Sequence, residues 1–495
     1  MTSDRRLPPL PPGEGRGEGA TSRRGLWICV FLTAAVCVLA ATPAGKQPTD
    51  LLITNARVVT VDENFSVHDP GGIAVAGGKI LAVGPSAAIE KSYTGKTRFD
   101  ARGSIVMPGL VNTHTHAAMN LLRGIADDLP LDKWLTDHIF PAEAKSVSPE
   151  FVYDGTLEAC LEMIQGGTTT FADMYYFESE AARAVDKAGL RGVLGESFID
   201  FSVPDHKDLA ATLAYMKTYA ARWKGHPRIL PAVAPHSPYT CSKETLTAAR
   251  DFALQEGIPI LIHVAETKKE LEDARKNWQQ SPFLHLASIG FFEAPSGGKR
   301  VPIVAAHAIW ADEKDRELVR EYGVALSHNP ESNMKLASGI ADVTAWQKEG
   351  LVWGLGTDGV AGSNNDLSMF EAMDFAGKLA KVSSDDATVL PARELVAAAT
   401  RGGAKALGMA DRIGTLEKGK QADLIAIDLH NSHIVPFSDL YSVIVYSAKA
   451  SDVTDVWVDG KRLLQARRPT TLETAPILER ARTWRRRVEA SLATK

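Results

Sequence analysis

The feature that most constrains this chain is a repeated alternation of short apolar runs with amphipathic stretches between residues 108 and 412. Helical stretches such as SKETLTAARDFALQEG separate the runs. The runs occur in GLVNTHTH, GTTTFADM, RGVLGESF, RILPAVAPHS, IPILIHVAE, VPIVAAHAI, GVALSHNP and LVWGLGTDG. Buried strands that alternate with helices are typical of a parallel sheet covered by helices. Eight such units predict an α/β fold with a TIM-like (β/α)₈ barrel rather than an open sheet.

The residues on either side of this region have a β-rich pattern. LLITNARVVTVD, GGIAVAGGKILAVG and TRFDARGSIVMPG precede it, and IGTLEKGKQADLIAIDL and VTDVWVDGKRLL follow it. They combine β-branched residues with Gly and Asp-Glu-Asn breaks, which favours short strands. We expect residues 51–107 and 413–470 to form the two halves of one small β-sandwich domain. The charged stretch LERARTWRRRVEASL predicts a C-terminal helix within residues 471–495.

The first 44 residues do not fit this fold. Residues 1–22 are rich in Pro, Gly and charge and predict a disordered or non-native extension. Residues 23–44 have the layout of a signal peptide, with Arg23 and Arg24 before an apolar run and small residues near Ala40 and Ala44. We therefore expect a protein that is exported to the periplasm or the extracellular space. The alternative is a membrane anchor at residues 26–41, although a spanning helix needs roughly 20 apolar residues.

Charge and cysteine content narrow the function classes. The formal net charge of -5 shows no basic excess, which disfavours a nucleic-acid partner and leaves a small molecule as the expected one. Of the four cysteines, only Cys160 and Cys241 would remain after signal cleavage. A disulfide framework is therefore not expected, and two buried thiols are favoured over a single bridge.

Histidines and acidic residues stand where the candidate strands end. In NTHTH, His114 and His116 point to the same side because strand side chains alternate. LIHVAET supplies His263, VAAHAIW supplies His307 and GLGTDGVAG supplies Asp358. The carboxyl ends of barrel strands meet at one face, where barrel enzymes place their chemistry. Three of these imidazoles together with the carboxylate suit Zn²⁺, with iron as the rival, and leave one position for water.

These residues also have interpretations that need no metal. An H-x-H pair occurs among ordinary loop histidines, and His307 fits a core histidine bonded to backbone. Glu266 stands three residues after the LIHVAET histidine, where a proton shuttle is expected, but it could instead pair with Lys268 or Lys269. A buried Asp or His without a partner is costly, so the strand-end set needs either a neighbour or a metal.

The order H-x-H, H-x-x-E, H and T-D-G resembles the amidohydrolase superfamily, in its mononuclear-metal deaminase branch, with chlorohydrolases and guanine deaminase as relatives. The stretches MPGLVNTHTHAAMNLLRGIADDLPLDKWL, PHSPYTCS and SHNPESNMKLASGIADV look most like 5-methylthioadenosine/S-adenosylhomocysteine deaminases. The likeness covers about residues 51–470. It implies a metal-dependent hydrolase of non-peptide carbon–nitrogen bonds that deaminates a purine nucleoside or a related heterocycle. Homo-oligomers are common among such proteins.

The resemblance implies one divalent metal ion per subunit, held by His114, His116, His263 and Asp358. It also implies that Glu266 and His307 act on protons and on the attacking water. The chemistry agrees, because a divalent ion lowers the pKa of its water toward 7. Asp358 can accept the proton of that water while His307 orients it. Glu266 can protonate a ring nitrogen such as N1 of adenine and then the departing amine. No strand-end lysine is placed to become a bridging carbamate, which favours a single metal ion.

The resemblance also implies contacts with substrate. Trp134 is expected to stack on the nucleoside, Glu143 to bind its ribose hydroxyls and His236 to contact the purine. SHNPESN is expected to be the loop after the seventh strand, where Ser332 and Asn333 shape the pocket. The alternative is that these are core and surface residues with structural roles.

Two departures from the family pattern bear on the substrate. VLGESFID offers Glu196 where an arginine is expected to bind a carboxylate, and an acid there repels one. The loop TDGVAGSNND is one residue longer than the shorter form of this loop in the deaminases, and its glycines permit the backbone to follow a different path. We therefore expect methylthioadenosine or adenosine in preference to S-adenosylhomocysteine. The alternatives are a hydrolase of cyclic amides or of chlorinated heteroaromatic rings and, more remotely, a non-catalytic binding protein.

Overall fold

The computed structural model describes residues 45–294 and 298–493. The predicted N-terminal extension, the signal peptide and the alternative anchor all lie outside the described residues. Within these two ranges, every helix is too short or too polar to cross a membrane.

The strands are numbered along the chain. They are β1 Gln47–Val59, β2 Val67–Ala76, β3 Lys79–Pro85, β4 Tyr93–Asp100, β5 Ile105–Pro108, β6 Leu110–Thr115, β7 Thr168–Tyr175, β8 Arg191–Phe198, β9 Ile229–Pro235, β10 Ile260–Val264, β11 Ile303–His307, β12 Ala325–His328, β13 Trp353–Leu355, β14 Leu424–Ile427, β15 Val453–Val458, β16 Lys461–Gln465 and β17 Arg468–Pro469.

The α-helices are numbered in the same way. They are α1 Ser86–Ser92, α2 Leu131–Lys133, α3 Phe140–Ser146, α4 Pro149–Gly166, α5 Glu178–Ala188, α6 Leu209–Trp223, α7 Lys243–Glu256, α8 Lys268–Trp278, α9 Pro282–Ser288, α10 Glu313–Tyr322, α11 Pro330–Lys335, α12 Val343–Lys348, α13 Met369–Ser384, α14 Ala392–Ala397, α15 Gly403–Ala406, α16 Leu440–Ser442 and α17 Thr474–Ala493.

Strands β6 to β13 form the barrel. In the described chain, these eight strands pair in sequence order and in parallel, and each contains one of the apolar runs. Side chains and loops join the first and last strands, because Asn112 Nδ2 donates to Thr357 Oγ1 (2.8 Å) and the Asp358 N–H donates to the His114 carbonyl (3.0 Å). The predicted barrel is confirmed.

The flanking strands form a second, mostly antiparallel sheet. Its order is β17-β16-β15-β14-β5-β1-β2-β3, with β4 paired to β1, which makes nine strands among the described residues. The two chain ends meet where β14 pairs with β5, with Leu424 opposite Pro108. The predicted small β domain built from both chain ends is therefore present, as one continuous sheet.

Arg191 joins this sheet to the barrel. It begins β8, is fully buried, and its guanidinium contacts Asp423 (2.9 Å) and Asp459 (2.7 Å). Asp423 also accepts the backbone N–H of Asp459 (2.8 Å), and both carboxylates bind the same guanidinium. This network connects the amino ends of the barrel strands to the segments around β14 and β15.

Sequence-local signals set the ends of the longer helices. The Ser148 hydroxyl accepts the Phe151 N–H at the start of α4, and Asp312 and Asp315 form a reciprocal capping box at α10. Helix α17 packs its Trp484 ring against Phe151, with ring centroids 5.3 Å apart. The predicted C-terminal helix thus lies against the barrel's outer layer.

Candidate metal centre and catalytic cavity

The carboxyl ends of β6, β10, β11 and β13 bring the strand-end histidines together. The rings of His114 and His116 are 4.9 Å apart, and those of His114 and His263 are 4.8 Å apart. Asp358 Oδ1 lies 3.3 Å from Nε2 of both His114 and His116. The ligand atoms of the three histidines lie within 4.8 Å of one another. The four residues predicted to hold a metal therefore surround one point.

The backbone turns sharply at or beside several residues of the site. Ala265, His307 and Asp358 have φ angles of 55°, 71° and 64°, the left-handed region that non-glycine residues seldom adopt. The Asp358 N–H is held by the His114 carbonyl at 3.0 Å. Backbone bonding of this kind fixes the turn that directs the Asp358 carboxylate toward the histidines.

Hydrogen bonds at Nδ1 of two of the histidines direct Nε2 toward the centre of the cluster. His116 Nδ1 donates to the Met174 carbonyl (2.6 Å), and His263 Nδ1 donates to the His236 carbonyl (2.8 Å). When the imidazole is neutral, such bonds place the proton on Nδ1 and the lone pair on Nε2. His114 Nε2 is buried and has no hydrogen-bond partner among the described residues. This donor set fits a divalent metal ion, because three imidazoles and a carboxylate complete a tetrahedral site or leave a fifth position for water.

Burial and the carboxylate set the charges here. Burial lowers the pKa of His114 to about 4, and that of His263 well below its ordinary value. For His116 the Asp358 carboxylate outweighs burial and raises the pKa to about 9. Burial alone would raise the pKa of Asp358, but His114 and His116 hold it well below its ordinary value. Asp358 is thus a carboxylate throughout the neutral range.

His307 lies beside this cluster and is held by side chains. Its Nδ1 is 2.9 Å from Asn333 Oδ1, and its Nε2 is 3.8 Å from Asp358 Oδ2 and 3.9 Å from Glu266 Oε2. The alternative of a core histidine bonded to backbone does not match these contacts. His307 faces the space between the two carboxylates.

Ser332 and Asn333 are placed differently from the prediction. They lie on helix α11 rather than in a loop, and neither lines the cavity. The Ser332 hydroxyl donates to Asp358 Oδ2 (2.6 Å), while Asn333 binds the far side of the His307 ring. Both residues hold the groups that face the cluster, and their contact with substrate stays a prediction.

Glu266 is buried at the cavity wall, and burial raises the pKa of its carboxyl. It does not pair with the neighbouring lysines, since Lys268 pairs with Glu272 and Lys269 with Asp273. The alternative of an ion pair is therefore wrong. A carboxyl with a raised pKa keeps its proton to a higher pH than an exposed one and can deliver it to a substrate atom.

Glu270 was missed by the sequence reasoning. Its buried carboxylate accepts the N–H of Ala265 (2.9 Å) and of Glu266 (2.7 Å), which holds the turn that carries Glu266. The signal was present, because Thr267 and Glu270 have the T-x-x-E spacing of a helix start.

A cavity of about 610 Å³, including its open mouth, leads to the cluster. Its lining includes three of the predicted substrate contacts together with Glu266, His307 and Asp358. The three are Trp134, Glu143 and His236.

Each of these contacts is fixed by a neighbour. Trp134 lies on a π-helical turn, Trp134–Ile139, between α2 and α3, and its Nε1 donates to the Ala361 carbonyl (3.0 Å). Glu143 is buried, accepts the Tyr175 hydroxyl (2.8 Å), and burial raises its pKa to about 7. His236 Nδ1 lies 2.9 Å from Thr240 Oγ1.

The longer loop after Asp358 follows a path that only glycine allows. Gly362 has a φ of 126°, and a Cβ there would stand 1.9 Å from the Ala126 carbonyl oxygen and 2.5 Å from Trp134 Nε1. The glycine therefore lets this loop pack directly against the Trp134 side of the cavity.

Glu196 does not line the cavity. On β8, Ser197 faces the cavity, whereas Glu196 faces outward on the same side as Leu194, which packs in the core between barrel and helices. The sequence-based argument that Glu196 repels a substrate carboxylate is therefore wrong. Strand alternation by one residue separates its side chain from the cavity.

The sequence matches the amidohydrolase family over residues 105–463. A 5-methylthioadenosine/S-adenosylhomocysteine deaminase of Syntrophobacter fumaroxidans is 44% identical over 438 residues, which cover 88% of this chain and 98% of the relative. A 5'-deoxyadenosine deaminase of Methanosarcina mazei is 44% identical over 434 residues, which cover 87% and 96%. The crystal structure of an adenosine deaminase from Xanthomonas campestris with bound zinc is similar with a TM-score of 0.86 at 39% identity, covering 90% of this chain and all of that one.

Proposed function

Because this chain belongs to the amidohydrolase family, we propose that it is a zinc-dependent hydrolytic deaminase of purine nucleosides related to adenosine. The observation that carries the proposal is the buried Glu266 carboxyl, which faces the cavity beside His307 and Asp358. The relatives named as deaminases, and the zinc in the adenosine deaminase structure, support the reaction and the metal.

The chain's own residues divide the work of the reaction. A zinc ion held by His114, His116, His263 and Asp358 would act as a Lewis acid that makes water more acidic. Glu266 donates its proton to N1 of the purine, which makes C6 electrophilic. Asp358 accepts a proton from water as the water oxygen bonds to C6, and His307 orients that water.

The second half of the reaction expels the amine. The hydroxyl proton of the adduct passes to the Glu266 carboxylate, which delivers it to the amino group as the C6–N bond breaks. Ammonia leaves with the electrons of that bond, and the carbonyl of the product forms. The proton kept on Asp358 then restores Glu266 for the next cycle.

The remainder of the cavity favours a neutral substituent on the sugar. Its outer wall is apolar, and no lysine or arginine is among the described residues that line it. The apolar residues are Leu131, Leu135, Ile139 and Phe140. A substrate carboxylate would lose its hydration there without gaining a cation. We therefore propose methylthioadenosine, deoxyadenosine or adenosine as better substrates than S-adenosylhomocysteine. The argument for this preference is the apolar cavity lining and not Glu196.

The test is ammonia release by the zinc-loaded protein from adenosine, 5'-deoxyadenosine, 5'-methylthioadenosine and S-adenosylhomocysteine, with a chlorinated triazine as the control for halide release. We expect ammonia from the first three and little from the fourth. Release of chloride without ammonia from any purine would overturn the proposed reaction. Equal kcat/KM for S-adenosylhomocysteine would overturn only the preference.

We further propose export after cleavage near Ala40 or Ala44, on the signal layout of residues 23–44. Sequencing the mature N-terminus of protein recovered from the periplasm or medium tests this. A mature chain that still begins upstream of Arg23 would contradict it.

A further inference from the structure

A second cluster of metal-ligating groups lies on the outer side of β8, away from the cavity. Glu196 belongs to β8, and Asp205 and His206 belong to the loop that follows it. His206 Nε2 is 3.3 Å from Glu196 Oε1 and 3.5 Å from Asp205 Oδ2. One ligand atom from each residue lies within 4.8 Å of the others, as is also true of the histidine cluster.

Backbone donors fix both carboxylates from one side. The Glu178 N–H donates to Glu196 Oε2 (2.9 Å), and the Phe177 N–H donates to Asp205 Oδ2 (2.7 Å). Phe177 adopts a left-handed φ of 51° at the start of α5, which turns its N–H toward the cluster. The remaining carboxylate oxygens are therefore held in place rather than free to rotate toward solvent.

Three other polar atoms of these residues make no hydrogen bond with the described part of the chain. Glu196 Oε1, Asp205 Oδ1 and His206 Nε2 are buried and make no hydrogen bond within residues 45–294 and 298–493. Glu196 is completely buried, and His206 is 6% exposed. Buried polar atoms are nearly always satisfied in folded proteins, so three unsatisfied atoms on residues this close together indicate a missing partner.

In the described ranges, no lysine or arginine pairs with either carboxylate. Among the described residues, the ion pairs of Glu196 and Asp205 are with His206 only, and the nearby Glu178 adds another buried carboxyl. Burial raises the pKa of Glu196 to about 7, and burial together with Glu196 raises that of Asp205 to about 9. Two carboxylates that are buried this close to each other and to His206 need either a shared proton or a cation.

We propose that Glu196, Asp205 and His206 form a second divalent-cation site, separate from the catalytic centre. One imidazole nitrogen and two or more carboxylate oxygens suit Zn²⁺ or Mn²⁺, with water completing the coordination. A cation neutralises both carboxylates and bonds Nε2, which lies 3.3 Å from Glu196 Oε1 without making a hydrogen bond.

Such an ion would fix a wall of the catalytic cavity. The loop that carries Asp205 and His206 also carries Phe201, whose ring lies 5.3 Å from that of Phe140. Phe140 lines the cavity. The bound cation would therefore hold the loop against the outer wall, and its loss should raise KM more than it lowers kcat.

The direct test uses the full-length wild-type protein and Mn²⁺ as the probe. Crystals grown with Mn²⁺ should give an anomalous difference peak between Glu196, Asp205 and His206, in addition to any peak at the histidine cluster. The absence of a peak there at saturating Mn²⁺ would overturn the proposal and would indicate the shared proton. This result does not depend on whether the protein deaminates nucleosides.

Variants give an independent measurement. Glu196→Gln and His206→Gln should each lower the bound metal, measured by elemental analysis after dialysis, by about one ion per chain. His433→Gln is the matched control, since His433 pairs with Asp452 at 2.8 Å on a half-exposed surface without orphaned atoms. An unchanged metal content in folded Glu196→Gln and His206→Gln protein would contradict the second site. The crystal experiment decides the question if these variants do not fold.

Discussion

The two ends of the barrel treat buried charge in opposite ways. At the amino ends, Arg191 binds Asp423 and Asp459, and each partner is satisfied by the chain itself. At the carboxyl ends, Asp358 Oδ1 lies 3.3 Å from Nε2 of both His114 and His116, yet His114 Nε2 makes no hydrogen bond. The first network is complete and joins two domains. The second is completed only by something outside the chain, which distinguishes a functional charge cluster from a structural one.

Metal removal should separate the two ends most strongly. Exhaustive chelation is expected to abolish ammonia release, because the cluster then lacks its Lewis acid, and added Zn²⁺ should restore it. The Arg191 network is held together by its own ion pairs and does not depend on a metal ion. The fold, monitored by far-ultraviolet circular dichroism, should therefore persist. Activity that survives in metal-free protein would show that the carboxyl-end cluster is also complete without an ion.

Glu266→Gln should give the next largest effect. The amide keeps the shape but cannot donate the proton, so kcat is expected to fall by about 10²–10⁴-fold. The variant should bind as much metal as wild type, since Glu266 is outside the predicted ligand set. Turnover close to wild type would remove Glu266 from the mechanism.

Arg191→Met tests the opposite end. Removing one partner of a buried ion pair leaves Asp423 and Asp459 uncompensated, and the free energy of unfolding should fall by about 3–5 kcal/mol. Chemical denaturation measures this loss. If folded Arg191→Met bound no metal at all, the two ends would be coupled rather than independent.

Ser332→Ala addresses a residue that supports the centre without facing the cavity. Loss of its 2.6 Å bond to Asp358 should reduce metal affinity or kcat by roughly 10-fold. Competition with a metal chelator separates the two readouts. Ser338→Ala, on a buried serine that the structure does not place against Asp358, serves as the matched control.

Glu143→Gln should change how the free energy of unfolding depends on pH. Burial raises the pKa of Glu143 from 4.5 to about 7, so the folded state favours its protonated form. The stability from this preference is complete below pH 4.5 and is lost as the pH rises through about 7. In the Gln variant, the free energy of unfolding should therefore decline less across that interval, as urea titrations at several pH values would show. An unchanged slope would contradict the raised pKa.

The barrel could be predicted because its signals are local. Each apolar run is long enough for one buried strand, and the intervening helices have their own periodicity. His114 and His116 could be assigned to one side by alternation within a single strand. The convergence of His263, His307 and Asp358 followed from the geometry common to all parallel barrels.

The direction in which single side chains point could not be predicted. Whether Glu196 faces the cavity or the helices depends on the register of β8 in the closed barrel, which no local pattern fixes. Ser332 and Asn333 lie on a short helix whose cavity side is set by its packing. The Arg191 network joins residues more than 200 positions apart, so its partners could not be paired from the sequence.

The left-handed turns at His307 and Asp358 bear on attempts to rebuild this centre elsewhere. A designer who grafts the polar side chains of the metal centre onto a regular barrel would direct them along ordinary strand ends, where φ is negative. The graft must also reproduce the bent backbone and the contacts that maintain it, such as the Asp358 N–H bond to the His114 carbonyl. In this protein, the portable unit is the strand end together with its turn.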